Sequence, residues 1–170
     1  MKKLFYVVVY GMILFTEGWG WPLIFQDMKH IEKKKAEALL LAIKNKDKIS
    51  FKKHFIPHIE HFSSHYDEDV DHLFERFQIQ TYEVIDVMVY ESALYQDGEG
   101  IVQWNVSMLI ATDIGELRLM FVDVRKDYRH KENVGIRGLF LLEERKADEI
   151  DFDDFDLSTL PYGVYVESIK

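Results

Sequence analysis

The segment VQWNVSMLI at residues 102–110 carries the clearest secondary-structure signal in the chain. Apolar side chains occupy every second position, and Gln103, Asn105 and Ser107 stand between them. Successive side chains of a β-strand point to opposite faces, so this period of two predicts a strand with one face on an apolar core. The sequence on both sides extends this pattern into a sheet.

Three further segments are predicted as strands, namely residues 82–89, 117–124 and 134–143. The first changes phase near Asp86, which is typical of a β-bulge. Asp97-Gly98 and residues 112–115 supply turn residues between neighbouring strands. The second half of the chain therefore predicts three or four long antiparallel strands. An acidic segment at 144–156 and a short apolar piece at 161–166 follow them.

Helical periodicity dominates the preceding part of the chain. Residues 27–46 predict a long amphipathic helix, because apolar residues recur at spacings of three and four. Its apolar side comprises Met28, Ile31, Ala38, Leu39, Ala42 and Ile43, and its basic side comprises Lys29, Lys33, Lys34, Lys35, Lys44 and Lys46. We interpret the basic side as a solvated face; the functional alternative is a patch for anionic lipid.

Two shorter helices are predicted after it. Asp47 is suited to cap the first, which ends before Pro57. Ser63-Ser64 and the acids at 67–69 favour the start of the second, whose apolar stripe is Val70, Leu73, Phe74 and Phe77. Helices followed by antiparallel strands predict an α+β fold, with the N-terminal helices packed on a curved antiparallel sheet. By element order this is a nuclear-transport-factor-2-like cone.

Composition places limits on partners and compartment. The chain has 170 residues, of which 48% are hydrophobic, and a net charge of −9. One globular domain is expected at this length. Nucleic acid is not a predicted partner, since its phosphates would be repelled, whereas a protein with a basic surface is. Cysteine is absent, which excludes disulfides and thiolate chemistry.

The N-terminus has the pattern of an export segment. Lys2 and Lys3 precede an apolar run at residues 4–15. This predicts a signal peptide or short apolar anchor at 1–18, then a linker at 19–26 and a single α+β domain at 27–170. The alternative for residues 6–10 is a buried strand. The protein is therefore expected to be secreted or associated with the cell envelope, with membrane contact only through an uncleaved segment.

The chain resembles an uncharacterised domain family of Gram-positive secreted lipoproteins. The residues that carry the resemblance are AIKNKD at 42–47, FKKHF at 51–55, the acidic helix at 67–77, ENVGI at 132–136 and PYGVY at 161–165. The resemblance spans about residues 27 to 166 and implies a nuclear-transport-factor-2-like cone, with no activity attached. Family members usually carry a lipid-attachment cysteine that is absent here, so the resemblance implies export without a lipid anchor.

Clustered histidines are the first candidate for chemistry. They are His54, His58, His61, His65 and His72. Spacings of 4, 3 and 4 would place the first four on one face of a continuous helix, as metal ligands require. Pro57 interrupts that helix, and the His-Glu-x-x-His pattern is missing. We therefore predict a solvated polar helix and assign no metal ligand.

Other linear motifs are weaker. Asp151, Asp153, Asp154 and Asp156 lack the glycine and glutamate of a calcium loop, so a solvated acidic loop or a surface for a basic partner is predicted. No nucleophile or phosphate-binding motif occurs. Acid–base catalysis inside a cone would use carboxylates at core-facing strand positions. Asp86, Asp123 and Tyr90 are its candidates, and the parity of Asp123 with Leu117, Leu119 and Phe121 points it inward.

Three functions remain open. The favoured one is a non-enzymatic exported binding protein acting through protein–protein interaction, such as an immunity protein that neutralises a secreted bacterial toxin. It predicts an exposed acidic or apolar patch. The alternatives are a small-ligand-binding cone, which predicts an open aromatic cavity, and a cavity enzyme of isomerase or dehydratase type, which predicts a buried group with a shifted pKa. No catalytic residue, cofactor or metal is assigned.

Overall fold

The computed structural model describes residues 21–96, 99–144 and 162–166. Its helices are α1 (Trp21–Lys44), α2 (Lys48–Lys52), a 3₁₀ turn (Ile59–His61) and α3 (Tyr66–Arg76). Its strands are β1 (Tyr82–Gln96), β2 (Glu99–Thr112), β3 (Gly115–Asp127), β4 (Gly135–Glu143) and β5 (Gly163–Val166). Among these residues no helix has the length and apolarity needed to span a membrane. The predicted signal segment, the Asp97-Gly98 turn and the aspartates at 151–156 lie outside the described residues.

The five strands form one curved, open sheet in chain order, β1 to β5. The first four pair antiparallel, as predicted, and β5 adds to β4 in parallel. A register shift between Val84 and Asp86 confirms the predicted bulge, with Ile85 as the extra residue. The α+β class is therefore confirmed, while the parallel fifth strand was not predicted.

Helix α1 begins at Trp21, six residues before the predicted start, so residues 21–26 of the predicted linker are helical. Pro22 is compatible with this start, because proline lacks a backbone N–H and the N–H groups in the first turn of a helix have no partner within the helix. The predicted buried face is partly wrong. Ile31 is exposed whereas Glu32 is fully buried. The buried stripe therefore follows positions 28, 32, 36, 39, 40, 42 and 43, and it carries a carboxyl group into the interior.

Local capping explains the start of α2. The carboxylate of Asp47 accepts a hydrogen bond from the Ser50 backbone N–H at 3.0 Å, which confirms the predicted cap. Helix α3 differs, because its N-cap position is His65, which makes no side-chain capping bond; the predicted Ser63-Ser64 cap is wrong. The acids of its first turn and its buried apolar stripe are as predicted.

The helices pack on one face of the sheet, here called the inner face. Phe51 of α2 is fully buried and meets Phe74 of α3 edge-on at 5.4 Å. The chain after α2 joins the sheet directly, since Ile136 donates its N–H to the His54 carbonyl at 2.8 Å. Gly135 makes this approach possible, because a Cβ there would lie 3.0 Å from the His54 carbonyl oxygen. This contact ties the segment after α2 to the start of β4.

Candidate functional site

Asp123 is buried on the inner face of the sheet. The residue is fully shielded from solvent, and in the register of the sheet it pairs with Trp104 on β2 and with Ile136 on β4. A register shift between Val122 and Asp123 marks a bulge at this point. The inward orientation predicted from its parity with Leu117 is confirmed. The alternative, a position at the wet end of the strand, is wrong.

Glu32 on α1 meets this aspartate from the helix side. The two carboxyl groups are close enough for the charge of Asp123 to act on Glu32. Neither Glu32 oxygen has a hydrogen-bond partner among the described residues. Burial, followed by the adjacent Asp123 charge, raises the pKa of Glu32 from 4.5 to about 7. Sequence reasoning missed Glu32 because Ile31 fits the apolar stripe better than a glutamate does.

Two cations balance the carboxyl pair. The Lys35 ammonium donates to Oδ2 of Asp123, and Nη1 of Arg125 donates to the same oxygen at 2.9 Å. That Nη1 atom also lies 3.6 Å from Oε1 of Glu32. The guanidinium of Arg125 sits over the Trp104 ring at 4.3 Å, an arrangement in which the cation faces the electron-rich ring. The four charged residues, called here the acid-pair cluster, join α1 to β3.

His54 lies at the margin of this cluster and does not join the other histidines. It is half-buried, and burial together with the Lys35 charge lowers its pKa despite the attraction of Asp123. A neutral imidazole is therefore favoured beside the acid pair. Chemically, the cluster can hold a proton on Glu32 near neutral pH.

The other acid–base candidates are not brought to this cluster. Asp86 and Tyr90 are exposed, and they alternate with the inward-facing Val87 and Val89. The Asp86 carboxylate accepts the N–H of Val87 at 2.8 Å, which stabilises the bulge. Their proposed association with Asp123 in one cavity is therefore wrong.

The remaining histidines do not form the predicted polar helix. Residues 53–65 are mostly turns and one 3₁₀ turn. His58, Glu60 and His61 do converge, with one donor atom from each lying within 4.8 Å of the others. His65 instead pairs with Glu68 at 3.3 Å, and His72 is exposed on α3. Of the candidate histidines, His58 and His61 thus lie together, with Glu60 beside them.

Strand β1 forms an edge of the sheet. Within the described ranges it pairs with β2 alone, and its register runs without interruption from Asp86 to Gln96. Ile85, Met88 and Tyr90 are each about half exposed (52%, 48% and 47%). Natural proteins place lysine or proline on edge strands to block further pairing. Neither residue occurs in β1. This strand therefore offers backbone hydrogen-bonding groups beside exposed apolar side chains.

The surroundings of β1 are strongly acidic. From residue 77 to residue 117 the sequence contains no Lys, Arg or His, although seven acids occur there. Glu83, Asp86 and Glu91, all exposed, lie on β1 itself. The basic residues flank this stretch, beginning with Arg76 and Arg118. The charge of the molecule is thus divided, with a negative potential along the β1–β2 hairpin.

One family model matches the chain, over residues 38–144, and its description is "Domain of unknown function (DUF5104)". The matched region runs from α1 to the end of β4 and covers more than half of the chain. It includes Asp123, the converging histidines and β1, whereas Glu32 and Lys35 precede it. A comparison with curated proteins returns no match.

Proposed function

Since the chain belongs to the DUF5104 family, whose description assigns no activity, we propose a function from the surface of the protein. The protein is a non-enzymatic exported protein that binds another protein through the edge of β1. In this proposal the curved sheet with helices on its inner face is a nuclear-transport-factor-2-like cone, as in the secreted lipoprotein family that the sequence resembles. Residues 1–18 would direct export. The binding function is that of an immunity protein, which neutralises a secreted bacterial toxin.

The observation that carries the proposal is the open edge of β1. A strand of 15 residues at the edge of a sheet leaves about half of its backbone N–H and C=O groups directed away from its neighbour. Adding an extended segment of a partner satisfies those groups, and pockets beside the edge then select its side chains. Ile85 and Met88 supply the exposed apolar contacts that such a segment would cover.

Charge indicates the chemistry of the partner. Glu83, Asp86 and Glu91 stand on the edge strand with no cation of its own to neutralise them. A partner segment rich in lysine or arginine would be attracted to this edge, and its association would accelerate at low ionic strength. We therefore propose an extended basic segment as the bound element.

Affinity capture tests this proposal. The tagged full chain is incubated with secreted and envelope fractions of its own organism, and bound proteins are identified by mass spectrometry. We expect one stoichiometric partner that is released at high salt. A triple variant, Glu83→Lys, Asp86→Lys and Glu91→Lys, should lose that partner, because its edge repels a basic segment.

A matched variant controls for net charge. Asp27→Lys, Glu75→Lys and Glu132→Lys change the charge equally at exposed positions outside β1 and should retain the partner. Failure of the unaltered chain to retain any protein in repeated captures would overturn the proposal. Equal loss of the partner in both triple variants would also contradict it, since the effect would then come from total charge.

The acid-pair cluster favours a second candidate function, a cavity enzyme of isomerase or dehydratase type. A carboxyl group whose pKa is about 7 is suited to move a proton at neutral pH. A substrate would have to reach it past Lys35 and Arg125, the partly exposed members of the cluster. Thermal-shift screening with small carbonyl and hydroxy acids tests this candidate. It is rejected if no compound raises the melting temperature of the unaltered chain more than that of the Asp123→Asn variant.

A further inference from the structure

A rigid surface turn holds two histidines and a glutamate together. His58 precedes the 3₁₀ turn in a left-handed conformation with φ 59°. The turn is closed by hydrogen bonds from the His61 N–H to the His58 carbonyl and from the Phe62 N–H to the Ile59 carbonyl, both at 2.9 Å. Ile59 is buried and anchors the turn in the core. The backbone that carries these side chains is therefore fixed before any ligand binds.

The side chains on this turn converge on one point. The rings of His58 and His61 stack with centroids 5.3 Å apart and an interplanar angle of 11°. Nδ1 of His58 lies 3.6 Å from Oε1 of Glu60, and one donor atom of each residue lies within 4.8 Å of the other two. Donors bound to one zinc ion at about 2.0–2.2 Å are separated by roughly 3–4 Å. Small rotations of these exposed side chains would bring the three donor atoms to that separation.

A cleft beside the turn gives an independent sign of a ligand. It has a volume of about 480 Å³, and its lining includes His58, Glu60 and Tyr66. The Tyr66 hydroxyl is buried and has no hydrogen-bond partner in the described part of the chain. Burial, followed by the charges of Asp67 and Glu60, raises the pKa of Tyr66, so the hydroxyl stays neutral. The side chain of Tyr66 therefore adds a polar group to the lining of the cleft, beside His58 and Glu60.

We propose that His58, Glu60 and His61 bind a divalent transition-metal ion at the edge of this cleft, with Zn²⁺ as the ion that fits best. Two imidazoles and one carboxylate suit zinc, copper and nickel, whereas calcium and magnesium prefer oxygen ligands alone. Three protein ligands leave the remaining coordination position open to the cleft for solvent or an external ligand. This site lies on the helical side of the molecule and does not depend on the binding function proposed for β1.

Titration of the full chain, prepared without a histidine tag, tests the site. Isothermal titration with ZnCl₂ should give one ion per chain, and Co²⁺ should give a visible absorption spectrum that Zn²⁺ abolishes. His61→Ala and Glu60→Gln should each weaken Zn²⁺ binding by more than about tenfold. His58→Gly should do the same, and glycine is chosen there because it tolerates the left-handed backbone.

A histidine–carboxylate pair on the same surface provides the control. His65 pairs with Glu68 and lacks a third ligand, so His65→Ala should leave Zn²⁺ affinity unchanged. All four altered side chains are exposed, so each metal-free variant should keep the circular dichroism spectrum of the unaltered chain. Absence of saturable Zn²⁺ binding would overturn the proposal. So would equal weakening by His65→Ala and His61→Ala, which would indicate diffuse binding to surface histidines.

Discussion

Glu32 on α1 and Asp123 on β3 approach the same cation inside the protein, because Nη1 of Arg125 lies 2.9 Å from Oδ2 of Asp123 and 3.6 Å from Oε1 of Glu32. Both residues are fully buried, and they come from elements that are distant in the sequence. Two adjacent carboxylates cannot both ionise in a buried site without a large electrostatic cost. The proton on Glu32 is therefore part of the contact between helix and sheet.

The raised pKa of Glu32 predicts an unusual dependence of stability on pH. The pKa of Glu32 is 4.5 ordinarily and about 7 in the folded chain. Because the folded pKa is higher, the contribution is fully present below pH 4.5 and is lost as pH rises through about 7. Glu32→Gln keeps a neutral side chain, so it should stabilise the protein at pH 8 by up to about 3 kcal/mol.

Urea unfolding of both proteins at pH 5 and pH 8 measures this difference. At pH 5 the two free energies of unfolding should differ little, because Glu32 is protonated there. Glu37→Gln removes a carboxyl group from the same helix outside the cluster and is the control for the change of net charge. An equal effect of Glu32→Gln at both pH values would show that the folded chain does not bind the extra proton.

Lys35 should be the only lysine in its helical run whose loss is costly. Its ammonium donates to Asp123, whose side chain is buried, so Lys35→Met leaves two carboxyl groups with Arg125 alone. We expect a loss of about 2 kcal/mol at pH 7, below the cost of removing one partner from a fully buried pair. Lys34→Met changes an exposed neighbour and should have little effect. Equal effects of the two substitutions in thermal unfolding would mean that Lys35 is also merely solvated.

Gly135 should be more sensitive to substitution than Gly115. Both have positive φ, 131° and 127°, so alanine strains either backbone by about 1 kcal/mol. At Gly135 the new Cβ would also lie 3.0 Å from the His54 carbonyl oxygen, whereas nothing lies within 4 Å at Gly115. Gly135→Ala should therefore cost about 2 kcal/mol more in chemical denaturation. Matching losses would show that the chain after α2 moves freely away from β4.

The spacing of apolar residues predicted most helices and strands because the periodic segments are long and regular. The alternation at 102–110 identified β2, and the phase change at Asp86 identified a real bulge. Glu32 could not be predicted, because only the partner on β3 makes a buried glutamate tolerable. The same holds for His58, Glu60 and His61, whose convergence depends on a left-handed residue and a 3₁₀ turn that have no periodic signature.

Amide hydrogen exchange in the full chain, alone and with the partner that affinity capture retains, tests the central claim most directly. Strand addition at the open edge would bond outward-facing N–H groups of β1, so exchange within residues 82–96 should slow in the complex. The charge-control triple variant should show the same protection. Protection confined to the helical side, with β1 exchanging as it does in the free chain, would contradict the proposal that this edge is the binding site.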